Sequence, residues 1–179
     1  MMSAQEIVFE TERLIVRLWN IDDAEAAFAM LSDPQVTDAL PDHLKHSRIE
    51  QTVQLLEKTV RELDPVSALG SWAVVERASG VVIGGAVLIH APINGGNPVE
   101  IGYYLARSAW GHGYATELAR ALLAHGFELA GLSEIYGVTT LDNYASQPVL
   151  EKAGMQRRDV SEYNGFPVEV FVSTQNAKN

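Results

Sequence analysis

The feature that most constrains the fold is the stretch from Val99 to Leu141. It reads as a strand ("VEIGYYLA"), a bend carrying two glycines around a histidine ("SAWGHGY"), a helix rich in alanine and leucine, and a second strand ("EIYGVTTL"). A helix that joins two strands of one sheet returns the chain through a right-handed crossover, so these two strands run parallel. Gly111 and Gly113 permit a sharp bend and close approach of the backbone, and the helix that follows presents unpaired amides at the positive end of its dipole. An anion fits such a place, phosphate above all.

The runs on either side set the rest of the architecture. "RLIVRLW" (Arg13 to Trp19) reads as a first strand, and Asn20 caps a helix whose first turn holds Asp22, Asp23 and Glu25. "SDPQVTDALPDH" reads as a proline-broken loop. Ser47 and Glu50 have capping-box spacing and open a second helix to about Leu63, on which Val53, Leu56 and Val60 share a face. "SWAVVE" and "VVIGGAVLIH" flank "RASG" as a hairpin, and "PVEIGYYLA" continues it as a meander beyond the Asn94 to Asn97 loop. On the central helix Ala115, Leu118, Leu122 and Leu129 recur at helical spacing, and Gly137 marks a candidate bulge in the strand after it. "NYASQPVLEKAGM" reads as a short helix stopped by Gly154, and Asn164-Gly165 as a hairpin turn.

This order predicts an α+β fold, a mixed, mostly antiparallel seven-stranded sheet flanked by helices. A length of 179 residues favours one domain, drawn here over 8–174 with 1–7 and 175–179 as flexible termini. Ala78 to Val99 carries no charge, but Gly80, Gly84, Gly85, Pro92, Gly95, Gly96 and Pro98 suit a spanning helix poorly, so no membrane association is expected. The net charge of -10 argues against nucleic acid and suits an amine-bearing partner. The opening residues lack the apolar core of a signal peptide, which points to the cytoplasm. Without cysteine, any thiol in the chemistry must come from a ligand.

Several phosphate or metal sites can be weighed against this pattern. Gly111, Gly113 and Glu134 loosely imitate a dinucleotide fingerprint, but Thr116 stands at the third glycine position and the flanking strands are antiparallel. No nucleotide-triphosphate loop of the form G-x-x-x-x-G-K-[ST] occurs. His43 and His46 have i, i+3 spacing without a second ligand cluster, so no metal is expected. His112 matters through its backbone, His125 as a helix residue, and Trp72 and Tyr144 as packing groups, with Tyr144 placed to edge a pocket.

"VEIGYYLARSAWGHGYATELARALLAHGF", "TTLDNYASQPVLEKAGMQRRD" and "ETERLIVRLW" together resemble the GNAT superfamily of N-acetyltransferases, and within it the branch that acetylates ribosomal-protein N-terminal alanine and serine. The family bend, Gln/Arg-x-x-Gly-x-Gly/Ala, falls on Trp110 to Ala115, with Trp110 departing from the usual polar residue as it does in that branch. The resemblance implies that the fourth and fifth predicted strands splay apart to admit acetyl-CoA. Its pyrophosphate would lie on the amides of Gly111, His112, Gly113, Tyr114, Ala115 and Thr116. Its pantetheine arm would lie along Tyr103, Tyr104 and Leu105, with Asn143 opposite. It also implies Glu100 as general base, Ser146 as the hydroxyl that protonates the leaving thiolate, and an amide near Leu105 as oxyanion donor. Glu162 and Glu169 are substitute bases.

With no cysteine to form an acyl-enzyme, direct attack in a ternary complex is expected. The acceptor is expected to be a protein or peptide N-terminal amine, whose pKa of about 7.7 to 8.0 makes deprotonation easy. The groove for it would run along Asp33 to His46 and the Asn164 loop. A small-molecule amine (antibiotic, amino acid or polyamine) is the alternative acceptor, and a noncatalytic acyl-CoA sensor the alternative role. Monomer and homodimer both remain open.

Overall fold

The structure, a computed structural model, describes residues 6–64 and 67–175. The strands are β1 (Ile7–Glu10), β2 (Leu14–Leu18), β3 (Gly70–Glu76), β4 (Val82–His90), β5 (Val99–Leu105), β6 (Glu134–Thr140), β7 (Gln156–Arg157), β8 (Ser161–Tyr163) and β9 (Phe166–Thr174). The helices are α1 (Ala24–Leu31), α2 (Pro34–Thr37), α3 (Ile49–Arg61), α4 (Tyr114–Glu128) and α5 (Gln147–Lys152). The strands form one sheet in the order β1-β2-β3-β4-β5-β6-β9-β7, with β8 paired to β9.

The α+β reading holds, but nine strands among the described residues replace the expected seven. β1 pairs with β2, and the Leu18 amide donates to the Glu6 carbonyl, so Ile7, the last residue of the expected amino-terminal segment, lies in the sheet. Residues 1–5 and 176–179 of the expected termini lie outside the described residues. Short β7 carried no alternation that a sequence could reveal, since both its residues are exposed.

α4 packs Leu118, Leu122 and Leu123 against Leu14, Trp72, Leu88 and Ile101 on one face of the sheet. α1 and α3 cover the other face through Ala27 and Leu56 on Ala73, which alternates with Trp72 and Val74 along β3. A third apolar group, Ala91, Ile93, Val168, Val170 and Val172, lies between the loop after β4 and the terminal strand.

Several local expectations are corrected. The stretch read as an unbroken loop after α1 contains α2, opened by Asp33, whose carboxylate accepts from the Gln35 amide. Gln51, not Glu50, reaches back to cap α3, accepting from the amides of Ser47 and Arg48 at 2.9 and 3.0 Å. Val60 and Leu129, placed on apolar faces by spacing, are exposed, and Leu129 falls just past the end of α4. Asp23 is buried and gripped by both terminal nitrogens of Arg17 at 2.8 Å, a tertiary ion pair beyond the expected dipole bias. Gly137 sits in regular register opposite Phe171 and is no bulge. A Cβ there would lie 3.3 Å from Leu150 and Met155, so the residue marks close packing under α5.

Candidate active site

The functional geometry begins with a fault in the sheet. Neighbouring strands pair antiparallel except β5 and β6, which run parallel and share only two register pairs, Glu100 with Tyr136 and Ile101 with Gly137. Beyond Ile101, β5 stays bonded to β4 as far as Leu105, and β6 stays bonded to β9 as far as Thr140. The predicted splay between the fourth and fifth strands is therefore present, between β5 and β6. It leaves the backbone groups on the two facing edges without strand partners, a slot an extended, amide-bearing ligand can fill.

β5 approaches β4 closely along that edge. A Cβ on Gly84 would lie 2.4 Å from the Tyr104 carbonyl oxygen, and one on Gly85 would lie 2.6 Å from the Tyr104 ring. The glycine pair thus lets Tyr104 lie across β4. Burial pushes the phenols of both Tyr104 and Tyr103 far up, so both stay protonated.

At the open end of the slot stands the bend. Gly111 and Gly113 have φ of 77° and 80°, and Gly113 is the N-cap of α4. No side chain caps this helix, which leaves its first-turn amides available to a ligand. A Cβ on Gly111 would meet nothing within 4 Å, so open space lies above it. Trp110 donates from Nε1 to the Leu105 carbonyl at 2.9 Å, tying the bend to the end of β5. That bond is what a tryptophan contributes at a position where the family pattern has a polar residue. His112 stacks on Tyr114, and Tyr114 donates to Glu76 at 2.6 Å.

Glu100 sits at the closed end, 6% exposed, on the face of the third apolar group. Burial pushes its carboxyl up to about 7 against the opposing hydrogen bond from Tyr163, and its Oε2 has no partner. On the other face, Tyr103 and Thr139 stand two residues beyond the last β5–β6 pair, one on each lip. Both hydroxyls are buried without a hydrogen bond of good geometry. Ser146 lies beside the Tyr103 hydroxyl, close enough to favour its ionised form slightly against the larger effect of burial, and its own side chain caps nothing. Asn143 accepts from the Ser146 amide through Oδ1 at 3.1 Å, which orients its amide head.

The remaining candidates separate from this cluster. Glu169 is paired with Arg157 at 3.6 Å, and Glu162 is exposed on the hairpin. Tyr144 is exposed. His46 engages Thr52 and the His43 carbonyl, and His125 bonds to the Ala68 carbonyl between Phe9 and Trp72. Among the described residues no group of three or more His, Asp or Glu is placed to hold a metal ion. None of their helices is long and apolar enough to cross a membrane.

A split parallel pair, a glycine bend and a helix with an uncapped start can occur separately in many folds. Here the family model described as acetyltransferase (GNAT) domain matches residues 13–156, which span the bend, both split strands and α5. The chain belongs to the GNAT acetyltransferases. It is 33% identical over 169 residues to a Bacillus subtilis protein named as uncharacterized N-acetyltransferase YoaA, covering 92% of this chain and 94% of that one. An acetyltransferase from Agrobacterium tumefaciens superposes with a TM-score of 0.76 at 22% identity, over 93% of this chain and 94% of that one. RimL, described as a ribosomal L7/L12 alpha-N-protein acetyltransferase and solved with coenzyme A, superposes at 0.75 with 17% identity, over 94% and 98%. This GNAT protein is accordingly an acetyl-CoA-dependent N-acetyltransferase.

Sequence reasoning missed Thr11, Arg13, Glu117 and Tyr163. The first two lie in "ETERL", a stretch that carried resemblance without a role. Tyr163 had no signal beyond its place before a hairpin turn.

Proposed function

We propose that this GNAT protein acetylates a protein or peptide N-terminal α-amine by direct attack within a ternary complex, with Glu100 as general base. The observation that carries the reading is Glu100 itself, a buried carboxyl pushed up to about 7 at the point where the split begins. A base of that strength is matched to an amine of pKa about 7.7 to 8.0, whereas a lysine at about 10.4 would arrive almost wholly protonated. The similarity in fold to RimL, an enzyme named for an α-N-protein substrate, supports the same acceptor class.

Acetyl-CoA supplies the thioester whose acetyl group is transferred. The amides of Gly111 to Thr116 bind its pyrophosphate through the helix dipole and need no lysine. The free edge of β5 over Tyr103 to Leu105 pairs with the pantetheine arm, and the oriented Asn143 amide holds that arm from β6's side. The buried Thr139 hydroxyl, without a hydrogen-bond partner among the described residues, fits a slot that receives a polar ligand. Glu100 takes the proton from the attacking amine, directly or through one water. An amide on the free edge of β5 stabilises the developing oxyanion, and the Ser146 hydroxyl, beside Tyr103, returns a proton to the thiolate.

The acceptor approaches between the segment around α2 and the terminal hairpin. Asp33 lies 3.9 Å from Arg107, two residues past the end of β5, and Tyr163 on the hairpin donates to Glu100 on β5, which supports that path. Thiol release from acetyl-CoA with an alanine- or serine-started ribosomal peptide, an aminoglycoside and a polyamine tests the reading. Turnover of the peptide alone is expected. Turnover of only the small amines moves the acceptor to that class, and coenzyme binding without any turnover makes the protein an acyl-CoA sensor.

A further inference from the structure

Arg13 joins the amino-terminal strands to the glycine bend. Its Nη1 donates to the His112 carbonyl at 2.8 Å, and its Nε donates to Glu117 Oε2 at 2.7 Å. Its backbone amide and the Thr11 hydroxyl both donate to Glu117 Oε1, at 2.9 and 2.6 Å. The guanidinium carbon lies 4.6 Å from the centre of the Tyr114 ring. Nη2 lies 3.6 Å from where a Cβ on Gly113 would stand. The bend is thus held by residues about a hundred positions earlier in the chain.

We propose that Arg13 is a positioning residue for the coenzyme's phosphates, acting through the peptide between His112 and Gly113. The described residues contain no cis peptide bond, and in a planar trans peptide the C=O and the N–H point in opposite directions. Holding the His112 carbonyl on Arg13 therefore turns the Gly113 N–H to the other side of the bend, where the first-turn amides of α4 gather. Freed from Arg13, a residue with glycine neighbours on both sides has little to stop that peptide from flipping. The flip would present a carbonyl oxygen to the phosphate in place of a donor.

Charge adds a second effect. Glu117 sits in the first turn of α4, where its carboxylate would repel a bound pyrophosphate. Burial raises its pKa, but the hydrogen bonds from Thr11 and Arg13 outweigh that and hold it ionised. Arg13 screens this negative charge from the anion site while fixing the backbone beside it. The inference rests on the coenzyme reading above and assigns the residue that shapes that site.

The test compares ligands with and without phosphate on the full chain. Coenzyme A binding is measured by calorimetry and pantetheine binding by nuclear magnetic resonance titration, for the wild type, Arg13→Lys, Arg13→Ala and the Arg13→Ala/Glu117→Gln pair. For Arg13→Ala the Kd for coenzyme A should rise about tenfold or more, the scale of one lost charge-assisted contact. Arg13→Lys should lie between, the Glu117→Gln addition should recover part of the loss, and the Kd for pantetheine should stay unchanged. An equal loss for both ligands would reduce Arg13 to a structural brace, and no loss for either would remove it from the site. Both overturn the inference and leave the coenzyme reading standing. A wild type that takes up no coenzyme A overturns that reading and this inference with it. If Arg13→Ala fails to fold, Arg13→Lys, which keeps the charge and loses the fork, carries the same comparison.

Discussion

The Tyr163 hydroxyl donates to Glu100 Oε1 at 3.1 Å and so couples the terminal hairpin to the strand that borders the split. The bond favours the ionised carboxylate while burial disfavours it, and burial prevails at about 7. Tyr163 responds in the opposite sense, with its phenol pushed up to about 12 by burial and by the neighbouring carboxylate. Each residue therefore acts on the other's titration, Tyr163 lowering the Glu100 carboxyl and Glu100 raising the Tyr163 phenol.

Removing the phenol should expose that coupling. Tyr163→Phe takes away the interaction that lowers the Glu100 pKa, so the ascending limb of kcat/KM against pH should move from near 7 to higher pH. The plateau above it should persist. A limb that stays in place would assign the titration to another group.

Glu100→Gln should lower kcat about a hundredfold or more, the usual scale for loss of a general base, and abolish the limb near pH 7. Stability should change the other way. Because the folded pKa of Glu100 is raised, the native state keeps a proton that the unfolded chain releases between pH 4.5 and about 7. Its contribution is therefore complete at low pH and is lost as pH rises through that window. The glutamine cannot ionise, so the variant should exceed the wild type in stability at pH 8 by on the order of 3 kcal/mol, and by far less at pH 4. Denaturant titrations at the two pH values measure the difference.

Ser146 and Asn143 should separate chemistry from support. The Ser146 side chain makes no cap bond, so Ser146→Ala should leave the melting temperature nearly unchanged while lowering kcat about tenfold or more. Asn143→Ala removes the acceptor for the Ser146 amide and should cost about 1 kcal/mol of stability besides raising the KM for acetyl-CoA. A Ser146→Ala enzyme with full kcat would leave the thiolate proton to solvent.

The glycine pair of β4 should respond unequally to one added methyl. At Gly84 the methyl would meet the backbone oxygen of Tyr104, which cannot move without shifting β5. At Gly85 it would meet a ring that can tilt. Gly84→Ala should therefore cost about 3 kcal/mol or more, with a correspondingly lower melting temperature, and Gly85→Ala less. Equal losses would mean that β5 adjusts as a unit.

Much of the architecture could be read in advance, because its signals are local. Alternation in "SWAVVE", the αL-prone Asn164-Gly165 turn (φ of 50° and 84°) and the Gly154 stop (φ of 100°) each depend on neighbours a few residues away. β1, α2 and β7 escaped notice because they are short and half exposed, so neither period nor burial marks them. The Glu50 capping assignment failed because Gln51 competes for the same amides from the next position.

The sequence alone determined the order of the longer elements, the parallel crossover around α4 and the place of the glycine bend, since hydrophobic period, turn chemistry and glycine freedom act over a few residues. Tertiary structure alone decided which groups meet at that bend and at the base of the split. Arg13 reaches His112 and Glu117, Tyr163 reaches Glu100, and Ser146 comes beside Tyr103. Such meetings arise when packing buries distant side chains together. The environment that raises the Glu100 pKa and the bond that turns the His112 carbonyl exist only once the whole sheet has closed around them.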